Sequence, residues 1–221
     1  AFDVVVVGGG PAGATAAGDL ARLGHSVLLL DRGGRIKPCG GAVPPRLIRD
    51  FAIPDSLIVA RVKSARIVAP SAREVDMPIE TGGYVGMVDR ETFDEWLRDR
   101  ARAAGADRRT GTFEDIAREQ DGTVLVAYRD PANERVTVRA RLVIGADGAA
   151  SAVGRAALPH QGRVPYVFAY HEIVRVPSGV PGYDGARCDV YYQGRLSPDF
   201  YGWVFPHGET ASVGTGTAVK G

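Results

Sequence analysis

The chain has 221 residues, 45% of them hydrophobic, enough for one large or two small folded domains. Its 27 Lys+Arg balance 26 Asp+Glu, which leaves no basic face for nucleic acid, and no apolar run is long enough to span a bilayer. Two cysteines, Cys39 and Cys188, exclude a disulfide scaffold and fit a reducing cytoplasm.

The first element is read from Val4–Val7, a buried-strand run that passes into Gly8-Gly-Gly-Pro-Ala-Gly13. Gly8, Gly10 and Gly13 fit G-x-G-x-x-G: a tight turn off the strand, close backbone approach to a pyrophosphate, and close packing of the next helix. Pro11 suits the first helical turn, Ala12 lies beside it, and Gly24 suits the helix end. The helix N-terminus offers free N–H groups to an anion. The apolar start lacks a basic leader region and is this strand rather than a signal peptide. Ser26–Leu30 is a second apolar run ending in Asp31, 18 residues past Gly13, where a carboxylate accepts from a ribose 2′-OH. An acid there favours the unphosphorylated adenosine ribose of FAD or NAD, and Arg32 follows directly.

Further along, 32–50 reads as a loop with a short helix from Pro44 or Pro45, and Ser64–Val68 and Glu74–Pro78 as strands around a turn at Pro70-Ser71-Ala72. Tyr84–Val88 is a short strand. A helix follows Asp89, with Phe93, Trp96, Leu97, Ala101 and Ala104 on one face and Gly105 at its end. Thr123–Tyr128 and Arg135–Arg139 read as paired strands, and Leu142–Gly145 as a separate apolar strand leading into Asp147-Gly148. From Tyr166 the pattern is strand-rich: Val167–Val176, Cys188–Tyr192, Tyr201–Phe205 and Ser212–Thr217. The expected organisation is a discontinuous nucleotide-binding domain, 1–60 with 84–158, and a β domain, 61–83 with 159–221. His25, His160, His171 and His207 are scattered without metal-ligand spacing and read as ordinary surface or core histidines.

Four segments carry a family resemblance. Asp147-Gly148-x-x-Ser151 resembles the D-G-x-x-S-x-x-R motif of the p-hydroxybenzoate hydroxylase-like FAD superfamily, although Gly154 stands where the arginine belongs and Arg155 comes one residue late. Arg90, Phe93, Asp94 and Leu97 are similar to its R-x-x-F-D-x-x-L segment, whose arginine lies by the flavin phosphates. Lys37-Pro38-Cys39-Gly40-Gly41 resembles the C-G-G loop of geranylgeranyl reductases, and residues 198–206 match their P-x-x-Y-x-W-x-F-P motif. The resemblance implies an α/β fold: a Rossmann-like FAD-binding domain and an antiparallel β-rich substrate domain. It also implies a longer polypeptide, since a later Gly-Asp motif is absent, so a missing C-terminal part is expected.

The chemistry implied is reduction of a geranylgeranyl group to phytyl in the bacteriochlorophyll and chlorophyll branch, using FAD and NADPH. Cys39, in a flexible loop near the flavin, is the candidate catalytic group, with Gly40 and Gly41 beside the cofactor. Tyr201, Trp203 and Phe205 fall on one face of a strand. They read as plain core or as the wall of a prenyl tunnel. The substrate is an isoprenoid diphosphate or prenylated pigment, which leaves peripheral membrane association open. Two alternatives stand: a flavin monooxygenase or halogenase, whose W-x-W-x-I-P motif resembles residues 201–206, and a prenyl-lipid-binding chain without turnover.

Overall fold

The computed structural model describes residues 1–34, 36–37, 39–79, 83–158, 165–176 and 179–218. In chain order, β1 (Phe2–Val7), α1 (Pro11–Arg22) and β2 (Val27–Asp31) are followed by β3 (Ala42–Val43) and α2 (Pro45–Asp50). A 3-10 turn at Asp55–Leu57 leads to β4 (Ala60–Val62), β5 (Ser64–Val68), β6 (Glu74–Pro78) and β7 (Val85–Met87). Next come α3 (Arg90–Ala103), β8 (Asp107–Thr110), β9 (Thr112–Arg118), β10 (Val124–Arg129), β11 (Arg135–Gly145) and α4 (Ala152–Ala157). The described chain closes with β12 (Val167–Arg175), β13 (Arg187–Tyr191), β14 (Gly202–His207) and β15 (Thr210–Ala218).

Two compact units result, 1–35 with 94–164 and 36–93 with 165–221. Residues 36–60 and 84–93, expected with the nucleotide-binding part, therefore pack in the second unit. The reason is pairing: β3 and β4 both hydrogen-bond to β7, and Val62 and Met87 share a buried cluster with Cys188.

The first unit is a six-stranded sheet in the order β8-β2-β1-β11-β10-β9. The first four strands run parallel, and β11, β10 and β9 form an antiparallel meander. Val4–Val7 and Val27–Leu30 are buried, as continuous apolar runs must be in a strand covered on both faces. Val5, Val7 and Leu28 pack with Val124, Val126, Ala140 and Val153 into one core. The small residues of α1 permit close contact with α3: a Cβ on Gly18 would lie 3.3 Å from the Ala101 backbone.

Two expectations change here. Arg135–Arg139 and Leu142–Gly145 are one strand, β11, which trades partners at Ala140: antiparallel to β10 before it, parallel to β1 after it. Strands β8 and β9 carry no apolar alternation to announce them. The polar β8 is held as an edge by its register with β2, Leu28 opposite Asp107 through Asp31 opposite Thr110.

The second unit holds a six-stranded sheet, β12-β15-β14-β13-β5-β6, and a three-stranded sheet, β3-β7-β4. Every pairing is antiparallel except β13 with β5. The turn between β5 and β6 closes with Ala72 at φ 61°, where the sequence placed it.

Candidate functional site

In the first unit, parallel strands place their carboxyl ends on one edge, the ligand edge of an open α/β sheet. The glycine turn after β1, Asp31 at the end of β2 and Asp147 after β11 all reach that edge. The turns touch. Gly8 has φ +107°, and a Cβ there would lie 2.3 Å from the Ala146 carbonyl oxygen and 2.8 Å from the Asp147 nitrogen. A Cβ on Gly13 would lie 1.9 Å from the Gly8 carbonyl oxygen. Gly10 differs: nothing lies within 4 Å of its Cβ position. It is the N-cap of α1 and makes no side-chain cap bond, no acid stands in the first turn, and Pro11 and Ala12 are exposed. The helix thus keeps its N-terminal donors and positive dipole end for an anion.

Asp31 has a partner that the sequence did not reveal. Arg98 of α3 sends Nη1 to Asp31 Oδ2 at 3.3 Å and to the Gly9 carbonyl oxygen at 3.2 Å. Gly9 is as constrained as its neighbours, since a Cβ there would meet Asp31 Cβ at 2.8 Å and Arg98 Cδ at 2.9 Å. Arg98 therefore both orients the Asp31 carboxylate and braces the glycine turn. Arg32 is exposed just beyond. Asp147 is fixed by hydrogen bonds at the start of α4. It accepts from Ser151 Oγ and from the amides of Ala152 at 2.6 Å and Val153 at 3.2 Å, capping α4. Ser151 Oγ accepts in turn from Gly154 N at 2.8 Å. Gly148 takes φ +91° to turn the chain between strand and cap.

In the second unit, Tyr201, Trp203 and Phe205 line a cavity of about 190 Å³ together with Cys39, Gly40, Ala169, His171 and Phe200. Alternation from Tyr201 into β14 brings the three aromatics together, with ring centroids 6.0 Å apart for Tyr201–Trp203 and 6.2 Å for Trp203–Phe205. That volume is below the roughly 300–1,000 Å³ of pockets for drug-sized ligands. Room for the indole comes from β15: Gly214 faces Trp203 across the strands, and a Cβ there would lie 2.2 Å from the ring.

The Cys39-Gly40-Gly41 turn is fitted to this wall. A Cβ on Gly40 would meet Phe205 Cδ2 at 2.5 Å, and one on Gly41 the Val88 carbonyl oxygen at 2.3 Å, with Gly41 already at φ +74°. His207, buried at the end of β14, straps the turn down: Nε2 lies 3.1 Å from the Gly40 carbonyl oxygen and Nδ1 3.1 Å from Asp89 Oδ1. Cys39 is exposed at the turn, whereas Cys188 is buried and burial pushes its thiol up to about 12. Arg90 opens α3, within the second unit. Pro38 and His160 lie outside the described residues.

Residues 1–165 match the family model described as an FAD binding domain. The chain belongs to that FAD-binding family. The residues of the first unit fit such a cofactor: Gly10 leaves bare backbone at an uncapped helix start, and Asp31 stands at the carboxyl end of β2 on the same sheet edge. A geranylgeranyl diphosphate reductase of Rhodobacter capsulatus is 61% identical over 216 residues, 98% of this chain and 54% of the relative. A geranylgeranyl diphosphate reductase of rice chloroplasts is 38% identical over 97% of this chain and 48% of its own length. The chain thus spans about half the length of the curated relatives it matches. Among solved structures, a geranylgeranyl bacteriochlorophyll reductase-like protein of Thermoplasma acidophilum superposes with a TM-score of 0.85 at 33% identity, covering 98% of this chain and 56% of that one.

Within this FAD-binding chain, the structure brings Gly8, Gly10, Gly13, Asp31, Asp147 and Gly148 to one sheet edge, and Cys39, Gly40, Tyr201, Trp203 and Phe205 around one cavity. Missed by sequence reasoning were Gly9, Arg98, His171, His207 and Gly214. Only Gly9 carried a signal, as the middle of a three-glycine run. The others act through partners far away in the chain.

Proposed function

We propose that the protein is an FAD-dependent reductase that saturates carbon–carbon double bonds of a geranylgeranyl group to phytyl, with NADPH as reductant. The group is carried as its diphosphate or as a pigment ester, and we propose a cytoplasmic protein peripheral to a photosynthetic membrane. The observation that carries the reading is the aromatic cavity closed by the Cys39 turn. Likeness to the Rhodobacter capsulatus reductase supports it.

Bound FAD supplies hydride chemistry, and Gly8, Gly10, Pro11, Ala12, Gly13 and Asp31 are the residues that would hold it, with Arg90, Asp147 and Gly148 further candidates. The remaining tasks belong to the chain. An isolated trisubstituted alkene has no carbonyl to polarise it, so reduction needs a proton at one carbon and leaves cationic character at the other. The π faces of Tyr201, Trp203 and Phe205 stabilise such charge and exclude water. Burial, and secondarily Tyr192, push the Tyr201 hydroxyl above its ordinary value, so it stays protonated as a neutral wall. Cys39, exposed at the cavity rim, is the group we assign to proton delivery. Replacing Cys39 by Ala then slows alkene reduction about 10²-fold or more while flavin bleaching by NADPH keeps its rate.

The test is anaerobic incubation with FAD, NADPH and either geranylgeranyl diphosphate or a geranylgeranylated pigment, followed by mass spectrometry. A gain of two hydrogens per step is expected. NADPH oxidation that needs O₂ and leaves the alkene intact would instead support the monooxygenase or halogenase reading. A protein that takes up prenyl lipid but no flavin would be a binding chain.

A further inference from the structure

His171, on β12, lines the aromatic cavity, and its ring stands 6.4 Å from that of Trp203. Its Nδ1 lies 2.8 Å from Ser212 Oγ, and the same hydroxyl receives Trp203 Nε1–H at 3.1 Å. Ser212 is 0% exposed, so no solvent serves it. An indole only donates, and a serine hydroxyl has one proton to give. Having accepted from Trp203, Ser212 has His171 Nδ1 as the one acceptor for its own proton among the described residues. A buried hydroxyl left without an acceptor is costly. The chain Trp203 to Ser212 to His171 therefore makes Nδ1 an acceptor and puts the imidazole proton on Nε2. Burial first, and the neighbouring His207 second, hold His171 below the ordinary imidazole range, which agrees with a neutral ring. Nε2 has no hydrogen-bond partner among the described residues.

We infer that His171 is a fixed Nε2–H donor that binds the oxygen-bearing end of a prenyl segment seated against Tyr201, Trp203 and Phe205. This rests on the prenyl substrate proposed above and adds a specificity element to it: the cavity takes an allylic oxygen compound in preference to a plain hydrocarbon. The neutral tautomer cannot usefully give up its proton, so His171 reads the ligand rather than reducing it, and proton delivery stays elsewhere.

Two ten-carbon probes suit the cavity: geraniol, and 2,6-dimethylocta-2,6-diene, which lacks only the hydroxyl. Binding is followed by Trp203 fluorescence in a Trp96→Phe background. Geraniol should bind roughly two- to tenfold more tightly than the diene, the worth of one net hydrogen bond. The preference should vanish in His171→Phe, which keeps the ring and loses the donor. Nitrogen-15 NMR of the unsubstituted ring should show a pyridine-like Nδ1 and a pyrrole-like Nε2, an observation that needs neither flavin nor turnover. Saturable but equal binding of the two probes, a preference that survives His171→Phe, or a pyrrole-like Nδ1 would overturn the assignment and leave the prenyl reading standing. No saturable binding of either probe would overturn both.

Discussion

At the residue scale, position within the fold separates chemically identical groups. Cys39 and Cys188 have the same side chain, yet one is exposed on a turn and the other is buried with Val62 and Met87. Iodoacetamide at pH 8 should therefore label Cys39 alone in the folded protein and both cysteines in denaturant, read by peptide mass spectrometry. Glu95 shows how a charged helix face sets a local pH response. The Arg108 hydrogen bonds first, and Arg98 second, lower its carboxyl to about 2. A depressed folded value means that the stabilisation is present above the ordinary value of 4.5 and is lost as pH falls towards 2. Glu95→Gln should thus destabilise the protein slightly at pH 7, by under about 1 kcal/mol because Glu95 is half exposed. The difference from the unsubstituted protein should close near pH 2 in calorimetry. None of this was readable in the sequence, where Glu95 and Arg108 are merely two charges. The glycine turn, by contrast, was readable, because its demands are backbone demands within six residues.

At the element scale, the strands and helices with strong local patterns stood where the sequence put them. β1, α1, β2, β5, β6 and α3 each satisfy one period or one turn signal without outside help. β8 and β9 were missed because polar edge strands take their conformation from a neighbour's hydrogen bonds, here those of β2 and β10. β11 was split because its apolar part and its charged part answer to different partners. Strand β14 carried a legible alternation, but what it faces was not legible. Gly214 is the clearest instance: on β15 it reads as a strand defect, and in the sheet it makes room for the Trp203 indole. Gly214→Ala should cost about 1–3 kcal/mol from overpacking and should displace the ring. Urea unfolding would show the lowered midpoint and near-ultraviolet circular dichroism the altered tryptophan signal. An unchanged midpoint would mean that β14 and β15 yield freely, and the cavity wall would lose its rigidity.

At the scale of the whole molecule, FAD binding should appear as a gain in stability. A ligand that binds only the folded chain at a hundred times its dissociation constant adds about 2.7 kcal/mol. Titrating FAD should raise the melting temperature of the chain accordingly. Gly10→Val separates cofactor from fold: its Cβ enters open space and its backbone is extended in ψ, so the apo stability should hold within about 1 kcal/mol while the FAD-induced rise in melting temperature disappears. A shift that persists would remove Gly10 from the cofactor site. Taken alone, the amino-acid sequence determined the dinucleotide turn, the acid at the end of β2, the Asp-Gly turn and the aromatic periodicity of residues 201–205. Each of these is a demand on consecutive backbone or on a short repeat, so neighbours in the chain suffice to express it. Only the tertiary structure decided that Arg98 braces Asp31, that Asp147 caps α4, that His207 straps Gly40 to β14, and that Ser212 sets the tautomer of His171. Those pairings join residues brought together by sheet register and helix packing. A hydrogen bond between distant side chains leaves no periodic trace in the order of the residues that make it.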